Sequence, residues 1–354
     1  MAQSKFRTGL GRTATTALAV LLALSSISCL NGCYLAHVAR GQVGIAWSSI
    51  GIDEALERAD LSPADKAKLR YVQEVRAFAE SDLGLKPSKN YTTYLPGPKR
   101  PITWVVTAAP KDRLEPVTWW FPIVGSVAYK GYFDPDMAKA EAASLAADGY
   151  DVYVRPAIAY STLGWFTDPI TPLLLDLDDG ELASLIVHEL THGTIYAAGQ
   201  TGFSESLAEF VGRRGAEEFL AHRFGPDDGR IAAFRDGVAD GQLFDAFMRA
   251  EAEGLIRLYA SRPTDLTADR QEYFDGMRRD FEELRPRFRT EGYRAIRLRV
   301  LNNASMLGHL AYADTAPFER AFEAAGRDWT KFFALVRAAA KSDRPLERLR
   351  ELAP

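Results

Sequence analysis

Cysteine and histidine are scarce in this chain, whose 354 residues include two cysteines and five histidines. So few cysteines exclude a small disulfide scaffold and a cysteine-rich zinc domain. A strong charge of one sign is also lacking, since 43 basic residues face 47 acidic ones and leave a net charge of −4. Without a basic excess, nucleic acid is not expected as a partner. The composition, 47% hydrophobic and 25% charged, predicts an ordinary globular protein with a large core.

An uncharged, mostly apolar run follows Arg12, and it is too short for a comfortable membrane span. Lys5, Arg7 and Arg12 precede it without any acid, and it ends in Leu30-Asn31-Gly32-Cys33. This order of a basic, an apolar and a small-residue region is typical of an export signal. The last four residues resemble the lipobox of bacterial lipoproteins, in which the cysteine is lipidated and becomes the new N-terminus. The resemblance implies a signal peptide over 1–32 and a lipid-anchored protein of the bacterial cell envelope that faces the periplasm.

Cleavage before Cys33 would change the length and the net charge of the chain. It would leave 322 residues and lower the net charge from −4 to −7, because three basic residues leave with the signal. Cys29 would leave as well and Cys33 would carry lipid, so no disulfide could form even in an oxidising compartment. The alternative is an uncleaved N-terminal anchor in which the cysteine has no role.

The order of apolar patterns along the chain predicts an α+β fold with a small mixed sheet and a large helical half. Residues 34–85 show helical spacing, 90–132 are rich in β-branched and aromatic residues, and 136–148 return to a helical pattern. Strands are predicted at 151–155 and 157–163, and nearly everything from 180 onward is helical. After the signal, we therefore divide the chain at residue 178. We expect residues 33–178 to form the N-terminal helices and the sheet, and 179–354 to form a helical part that carries the chemical motifs described next.

The strongest chemical signal is the segment Val187-His188-Glu189-Leu190-Thr191-His192, within an apolar helical pattern. On a helix, His188 and His192 lie one turn apart on the same face, so both imidazoles can reach one Zn²⁺. Glu189 is offset beside the metal, where it can take a proton from an attacking water as general base.

A third zinc ligand is predicted after His192, with twelve residues between them, in the segment Ser204-Glu205-Ser206-Leu207-Ala208-Glu209. Glu205 and Glu209 are one helical turn apart and share a face beside apolar neighbours. Two acids in such surroundings need partners. Zinc would partner Glu205, and a zinc-bound histidine would partner Glu209. The alternative is a solvated acidic stripe.

The two segments together resemble the gluzincin clan, which includes thermolysin and the zinc aminopeptidases. The resemblance implies a zincin-like fold with the HExxH on an active-site helix. It also implies that Glu205 is the third zinc ligand and that Glu209 orients the first zinc histidine. Ser204 stands where the clan usually has Asn, and the connection between the helices is short.

The chain as a whole is similar to a predicted bacterial aminopeptidase family of lipoproteins. The similarity rests first on the HELTH segment, which is His188 to His192. It rests also on Cys33 followed by Gly41-Gln42, on Ala159-Tyr160-Ser161-Thr162-Leu163-Gly164-Trp165, and on Asn302-Asn303-Ala304 with Tyr312. It spans most of the mature chain and implies zinc peptidase chemistry.

Substrate-facing residues are less clearly marked. In gluzincins an edge strand before the active helix pairs with the substrate backbone, so Tyr160 and Ser161 are predicted to bind substrate, unless this strand is an ordinary sheet strand. His309 and Tyr312 are the predicted catalytic donors to the oxyanion, and Tyr259 is another candidate. Asn302 and Asn303 either cap a helix or bind substrate.

The sequence therefore predicts a Zn²⁺-dependent metallopeptidase acting on peptides, with aminopeptidase activity favoured by the family resemblance. One alternative is a zinc endopeptidase of the cell envelope. Another is a non-catalytic envelope lipoprotein with a structural zinc. Two histidines and one glutamate, without a spare cysteine, favour an open catalytic site over a closed structural one.

Replacing Cys33 by Ser is expected to abolish lipidation, because only the thiol can carry the lipid. The variant should move from the membrane fraction to the soluble fraction on cell fractionation, and mass spectrometry should show the acyl groups only on the wild-type chain. Membrane association that does not change on substitution would contradict the lipobox interpretation.

Overall fold

A computed structural model describes residues 34–121, 125–157, 167–310 and 314–353 of the chain. The chain separates into two compact units, one ending at Ser48 and the other running from Ser49 onward. Helix α1 (34–48) belongs to the first unit. None of the helices in the described ranges is long and apolar enough to span a bilayer.

The second unit contains the other helices and all the strands of the described chain. The strands are β1 (Ile50–Gly51), β2 (Thr93–Tyr94), β3 (Thr103–Ala109), β4 (Trp119–Phe121), β5 (Gly125–Val127), β6 (Lys130–Tyr132) and β7 (Asp151–Ala157). The helices up to residue 260 are α2 (Ile52–Glu57), α3 (Pro63–Ser81), α4 (Pro135–Ala147), α5 (Asp179–Thr194), α6 (Thr201–Phe224) and α7 (Gly229–Ala260). They are followed by α8 (Leu266–Leu284), α9 (Glu291–Ala295), α10 (Asn303–His309), α11 (Ala316–Ala324), α12 (Trp329–Ala339) and α13 (Pro345–Leu352).

The α+β class predicted from the sequence is confirmed, with the strands distributed over three small sheets. The largest sheet has the order β6-β3-β7, and all its pairings are antiparallel. Two-stranded antiparallel sheets join β1 to β2 and β4 to β5. One isolated parallel bridge links Tyr94 to Ile170. The short strand β1 interrupts the region 34–85, which the periodicity predicts as helical throughout.

Local signals explain where several helices begin and end. The Ser62 side chain accepts a hydrogen bond from the Asp65 backbone N–H, with Pro63 in the first turn of α3, as the sequence predicts. Asp134 caps α4 in the same way. That helix ends before Gly149, which adopts a φ of 91° that residues with a Cβ rarely take. The division at residue 178 stays a prediction.

The main apolar core lies where α3, α5, α6 and the C-terminal helices α11 to α13 meet. Helix α5 contributes the buried residues Leu182, Ala183, Ile186, Val187 and Leu190, so its apolar face points inward. At the start of α5, the Lys68 ammonium binds the Asp179 carboxylate at 2.6 Å and the Tyr71 hydroxyl donates to the Asp179 carbonyl at 2.7 Å. These contacts from α3 fix the position of the helix that carries the HExxH motif.

Helix α6 packs antiparallel against α5, and a glycine sets how closely the two approach. A Cβ at Gly212 would lie 2.8 Å from the Ser184 carbonyl oxygen and 3.1 Å from the His188 Cβ. Both distances are shorter than ordinary van der Waals contacts. Because no side chain intervenes, the backbone of α6 lies directly against the turn of α5 that carries His188.

A cluster of hydrogen bonds holds α10 on the three-stranded sheet. The backbone N–H of Asn303 donates to the Asp151 carboxylate at 2.9 Å, and Asp151 also pairs with Arg270. The Tyr259 hydroxyl donates to Asn303 Oδ1 at 2.6 Å and accepts from Arg270 Nε at 3.1 Å. Asn302 caps α10 in a capping box. Both asparagines and Tyr259 therefore have structural hydrogen bonds.

Replacing Gly212 by Ala is expected to destabilise the protein by about 2 kcal/mol, because the added methyl group has no room against the carbonyl of Ser184. Urea unfolding monitored by circular dichroism measures this change.

Gly237→Ala provides the matched control, because Gly237 lies inside α7 and its added Cβ would meet no atom within 4 Å. This substitution should leave stability unchanged or raise it by up to about 1 kcal/mol, since Ala has the higher helix propensity. Equal behaviour of the two variants would show that the close approach at Gly212 has no energetic consequence.

Candidate metal centre

The HExxH segment lies on α5, as its apolar spacing predicts. The helix begins with acidic residues in its first turn, where their negative charge interacts favourably with the positive end of the helix dipole. It continues without interruption through His192. His188 is half-buried and His192 is buried. The edge of α5 that carries them faces α6.

The second predicted segment lies on α6, which follows α5 after a short turn over residues 195–200. Gly199 takes a φ of 74° in this turn, and the backbone N–H of Ala197 donates to the Ser204 hydroxyl at 3.1 Å. Ser204 thus ties the turn to the first residues of α6. Because the helices run in opposite directions, a residue one turn later on α5 lies beside a residue one turn earlier on α6. His192 consequently meets Glu205, and His188 meets both Glu205 and Glu209.

Three side chains converge on one point with the spacing of metal ligands. The Nε2 atoms of His188 and His192 lie 3.2 Å apart. The Oε2 atom of Glu205 lies 3.4 Å from Nε2 of His188 and 3.6 Å from Nε2 of His192. One donor atom from each of the three residues can therefore be chosen so that all lie within 4.8 Å of one another.

These separations fit a tetrahedral ion of the size of zinc. Zn–N and Zn–O bonds of about 2.0–2.1 Å place neighbouring ligand atoms of a tetrahedron about 3.3–3.5 Å apart. The three edges of the observed triangle lie close to this range. The triad therefore fits a small divalent cation.

Glu209 and Arg213 form a chain of contacts behind His188. Glu209 Oε2 lies 3.5 Å from Nδ1 of His188, the ring nitrogen that does not face the triad. Its other oxygen pairs with Arg213 Nε at 2.5 Å, one turn further along α6. A carboxylate in this place accepts a hydrogen bond from Nδ1–H and leaves Nε2 free to bind metal, which fixes both the tautomer and the orientation of the ring.

The cluster also shifts the pKa values of its members in the protein without metal. Burial opposes the charged form of His188, but hydrogen bonds with Glu205 and Glu209 outweigh it and raise the pKa to about 10. Burial would raise the pKa of Glu205, but the hydrogen bonds from both histidines lower it to about 2. The pKa of Glu209 is lowered by His188 and Arg213 against its burial. Without metal, a proton on His188 therefore compensates the two carboxylates.

Glu189 lies beside this cluster without joining the ligand triad. Its negative charge contributes to the raised pKa of His188. The side chain is half-buried, and its Oε2 atom is buried with no hydrogen-bond partner in the described ranges. The Nδ1 atom of His192 is buried without a partner in the same ranges. Glu189 is therefore a carboxylate next to the metal position whose oxygens are not engaged by protein ion pairs described here.

The other predicted site residues have different positions. His309 ends α10, where its ring packs 5.6 Å from that of Phe244 and 6.1 Å from that of Tyr153. Burial, together with the positive charge of Arg155, lowers its pKa and favours the neutral ring. Its role as oxyanion donor stays a prediction. Four predicted residues lie outside the described ranges, namely Tyr160, Ser161, Tyr312 and Cys33.

Two residues near the triad have no counterpart among the sequence predictions. Arg213 could have been recognised by its four-residue spacing from Glu209, which is typical of an ion pair on a helix. Tyr196 follows the HExxH helix, with its ring 6.2 Å from that of His192 and 44% of its surface exposed. Burial and the charge of Glu205 raise its pKa. Nothing in the sequence pattern distinguishes this tyrosine from other loop tyrosines.

Comparison with known proteins identifies a family. The family model described as "Putative aminopeptidase" matches residues 33–352, which is nearly the whole chain. The chain therefore belongs to this aminopeptidase family, and a peptidase-like function follows from that membership. No curated protein and no solved structure matches the chain.

The raised pKa of His188 predicts how stability depends on pH in the metal-free protein. A group whose pKa rises on folding, here from 6.5 to about 10, contributes its full stabilisation below pH 6.5 and loses it as the pH rises through about 10. The free energy of unfolding, measured by urea titration in the presence of a chelator, should therefore fall between these two pH values.

Glu209→Gln is the matched variant for this measurement, because it removes one of the two carboxylates that hold the proton on His188. Its free energy of unfolding should fall less steeply over the same pH range. Identical slopes for the variant and the wild type would contradict the assignment of the proton to this cluster.

Proposed function

We propose that this protein is a zinc metallopeptidase of the gluzincin type, and that it acts as an aminopeptidase. The observation that carries the proposal is the triangle formed by His188, His192 and Glu205. Its edges of 3.2 to 3.6 Å match the ligand separations of a tetrahedral zinc site. Membership of the aminopeptidase family supports the peptidase chemistry.

The donor set favours a catalytic site over a structural one. Structural zinc sites have four protein ligands and are often rich in cysteine, whereas catalytic sites have three protein ligands and an open fourth position. The ligand cluster here consists of two histidines and one glutamate. A non-catalytic lipoprotein with a structural zinc is therefore the less favoured alternative.

Zinc in such a site acts as a Lewis acid and makes water nucleophilic near neutral pH. Glu189 then serves as general base, taking the proton of the attacking water at its carboxylate and passing it to the leaving amine. Its position next to His188 in the sequence holds the carboxylate beside the ligands. Because Glu189 forms no protein ion pair described here, its carboxylate is available for this proton transfer.

Glu209 and Arg213 act on the ligand rather than on the substrate. Glu209 accepts a hydrogen bond from Nδ1–H of His188, and Arg213 forms an ion pair with the other oxygen of Glu209. Such outer partners fix the ring of a metal-binding histidine and raise its basicity. The gluzincin resemblance assigns the same orienting role to Glu209.

The choice between exopeptidase and endopeptidase rests on the family name. An aminopeptidase binds the free α-ammonium of its substrate through an acidic group. The alternative enzyme is an endopeptidase of the cell envelope, which has no such requirement. We assign the oxyanion donor to His309 or Tyr312, and the binding of the substrate backbone to Tyr160 and Ser161, by the resemblance alone.

We also propose that the protein is anchored in the bacterial envelope by lipid on Cys33 and that it faces the periplasm. The motif Leu30-Asn31-Gly32-Cys33 supports this localisation. The family match begins at residue 33, which agrees with a mature chain that starts at the lipidated cysteine.

Glu189→Gln is expected to bind zinc as the wild type does but to lower turnover of a peptide substrate by about 100-fold or more, since the amide cannot accept the proton. Elemental analysis should find about one zinc per chain in both proteins. Hydrolysis of an unblocked peptide amide measures the turnover, and a chelator should abolish it in the wild type.

Two controls separate the parts of this proposal. Glu217→Gln changes an acid of α6 that pairs with Arg235 away from the triad, so its turnover should equal that of the wild type. Peptides with a blocked N-terminus should not be hydrolysed, and their cleavage would replace the aminopeptidase assignment by endopeptidase. Full activity of Glu189→Gln would refute the mechanism, and a protein that binds no zinc would refute the site.

A further inference from the structure

Two of the buried polar atoms that have no hydrogen-bond partner in the described ranges belong to a tyrosine and to the proposed general base. One is the hydroxyl of Tyr91, a residue that is 1% exposed, and the other is Oε2 of Glu189. Buried polar groups are nearly always paired in folded proteins, since an unpaired one loses its water without compensation. Both atoms therefore call for a partner.

The two groups are close enough to influence one another electrostatically. Burial raises the pKa of Tyr91, and the negative charge of Glu189 raises it further. Tyr91 also belongs to the same buried cluster as Val187 and Leu190, which lie on either side of His188 and Glu189 along α5. The hydroxyl donor and the carboxylate acceptor thus share one part of the interior.

Tyr91 is also held in an unusual backbone conformation. Its φ of 59° lies in the left-handed region, which is unfavourable for a bulky residue. The backbone N–H of Tyr91 donates to the Asp168 carbonyl at 2.7 Å. The side chains of Asn90 and Asp168, both buried, hold the same two segments together, since Asn90 Nδ2 donates to Asp168 Oδ2 at 3.3 Å. These contacts over-determine the position of Tyr91.

A purely structural role does not account for these features. Phenylalanine would fill the same apolar space without a buried, unpaired hydroxyl. A strained backbone and an unpaired polar group at the same residue are typical of functional sites, where such unfavourable terms are retained for activity. The hydroxyl is too deeply buried to contact a peptide substrate directly, so its effect must pass through a neighbouring group.

We propose that Tyr91 is a positioning residue for Glu189. Its hydroxyl donates a hydrogen bond to a water molecule that in turn donates to the inner carboxylate oxygen Oε2, and so orients the carboxylate with its other oxygen towards the attacking water. This inference rests on the proposed function, in which Glu189 is the general base.

Tyr91→Phe tests the proposal in the zinc-loaded, full-length protein. The turnover number for an unblocked peptide amide should fall by about tenfold, while KM stays within about twofold of the wild-type value, because the hydroxyl acts on the base and not on substrate binding. Zinc content should remain about one per chain. The unfolding midpoint should not fall, since no protein hydrogen bond described for this hydroxyl is lost.

Tyr94→Phe is the matched control. Tyr94 is a buried tyrosine three residues further along the same segment, 3% exposed, and it lines a surface cavity with Arg58 and Lys99. Its substitution should leave both the turnover number and KM as in the wild type. A tenfold loss of turnover in this control would overturn the proposal, since the effect would then belong to the segment as a whole.

A double-mutant cycle tests the interaction between Tyr91 and Glu189 without any activity measurement. Tyr91→Phe and Glu189→Gln are combined, and their effects on the urea unfolding midpoint of the zinc-loaded protein should be non-additive, because the two side chains interact. Additive effects together with an unchanged turnover number in Tyr91→Phe would overturn the proposal, as would a changed KM or a loss of zinc.

The cycle also separates failure of this inference from failure of the proposed function. If the wild-type protein hydrolyses no peptide, the proposed function fails, while a non-additive cycle still supports the contact between Tyr91 and Glu189. If the wild type is active but the cycle is additive and Tyr91→Phe retains full turnover, only the positioning role fails.

Discussion

The close antiparallel packing of α5 on α6 is the constraint on which the rest of this structure depends. At Gly212 the absence of a side chain lets the backbone of α6 lie against the Ser184 carbonyl and the Cβ of His188. That approach sets the register in which Glu205 reaches both histidines and Glu209 reaches the back of His188. A wider separation of the helices would leave the same side chains in place along the sequence but too far apart to share an ion.

Electrostatic balance explains why so many ionisable groups can occupy a half-buried place. Each carboxylate would be unfavourable alone, because burial opposes its charge. Together they hold a proton on His188, whose pKa rises to about 10, and the pKa of Glu205 falls to about 2. A divalent cation would take the place of that proton and satisfy the same carboxylate. The cluster that is compensated by a proton in the free protein thus has donor atoms placed where one metal ion could replace that proton.

The remaining elements hold this pair of helices and the residues around it. Lys68 and Tyr71 of α3 fix the first turn of α5, and the Asp151–Asn303 contacts fix α10 on the central sheet. The pairing of Asn90 with Asp168 ties the Tyr91 segment to the stretch of chain that precedes α5. Membership of the aminopeptidase family gives this arrangement a chemical context, since the family match covers the whole of it.

Much of the fold and most of the ligand cluster could be predicted from the sequence, because the signals are local. The one-turn spacing of His188 and His192, the shared face of Glu205 and Glu209, and the helix start at Ser62 depend only on helical geometry over a few residues. The α+β class follows from the same periodicity, while the short strand β1 escapes it because two residues carry no period.

Only the tertiary structure decided which of these faces meet and which side chains are left without partners. The contact of Gly212 with the turn of His188, and that of Asn90 with Asp168, 78 residues further along the chain, have no local pattern. The same is true of Tyr91, whose strained backbone and unpaired hydroxyl arise from contacts between distant segments. Short-range periodicity determines which residues share a face, but the packing of distant segments determines what that face encounters.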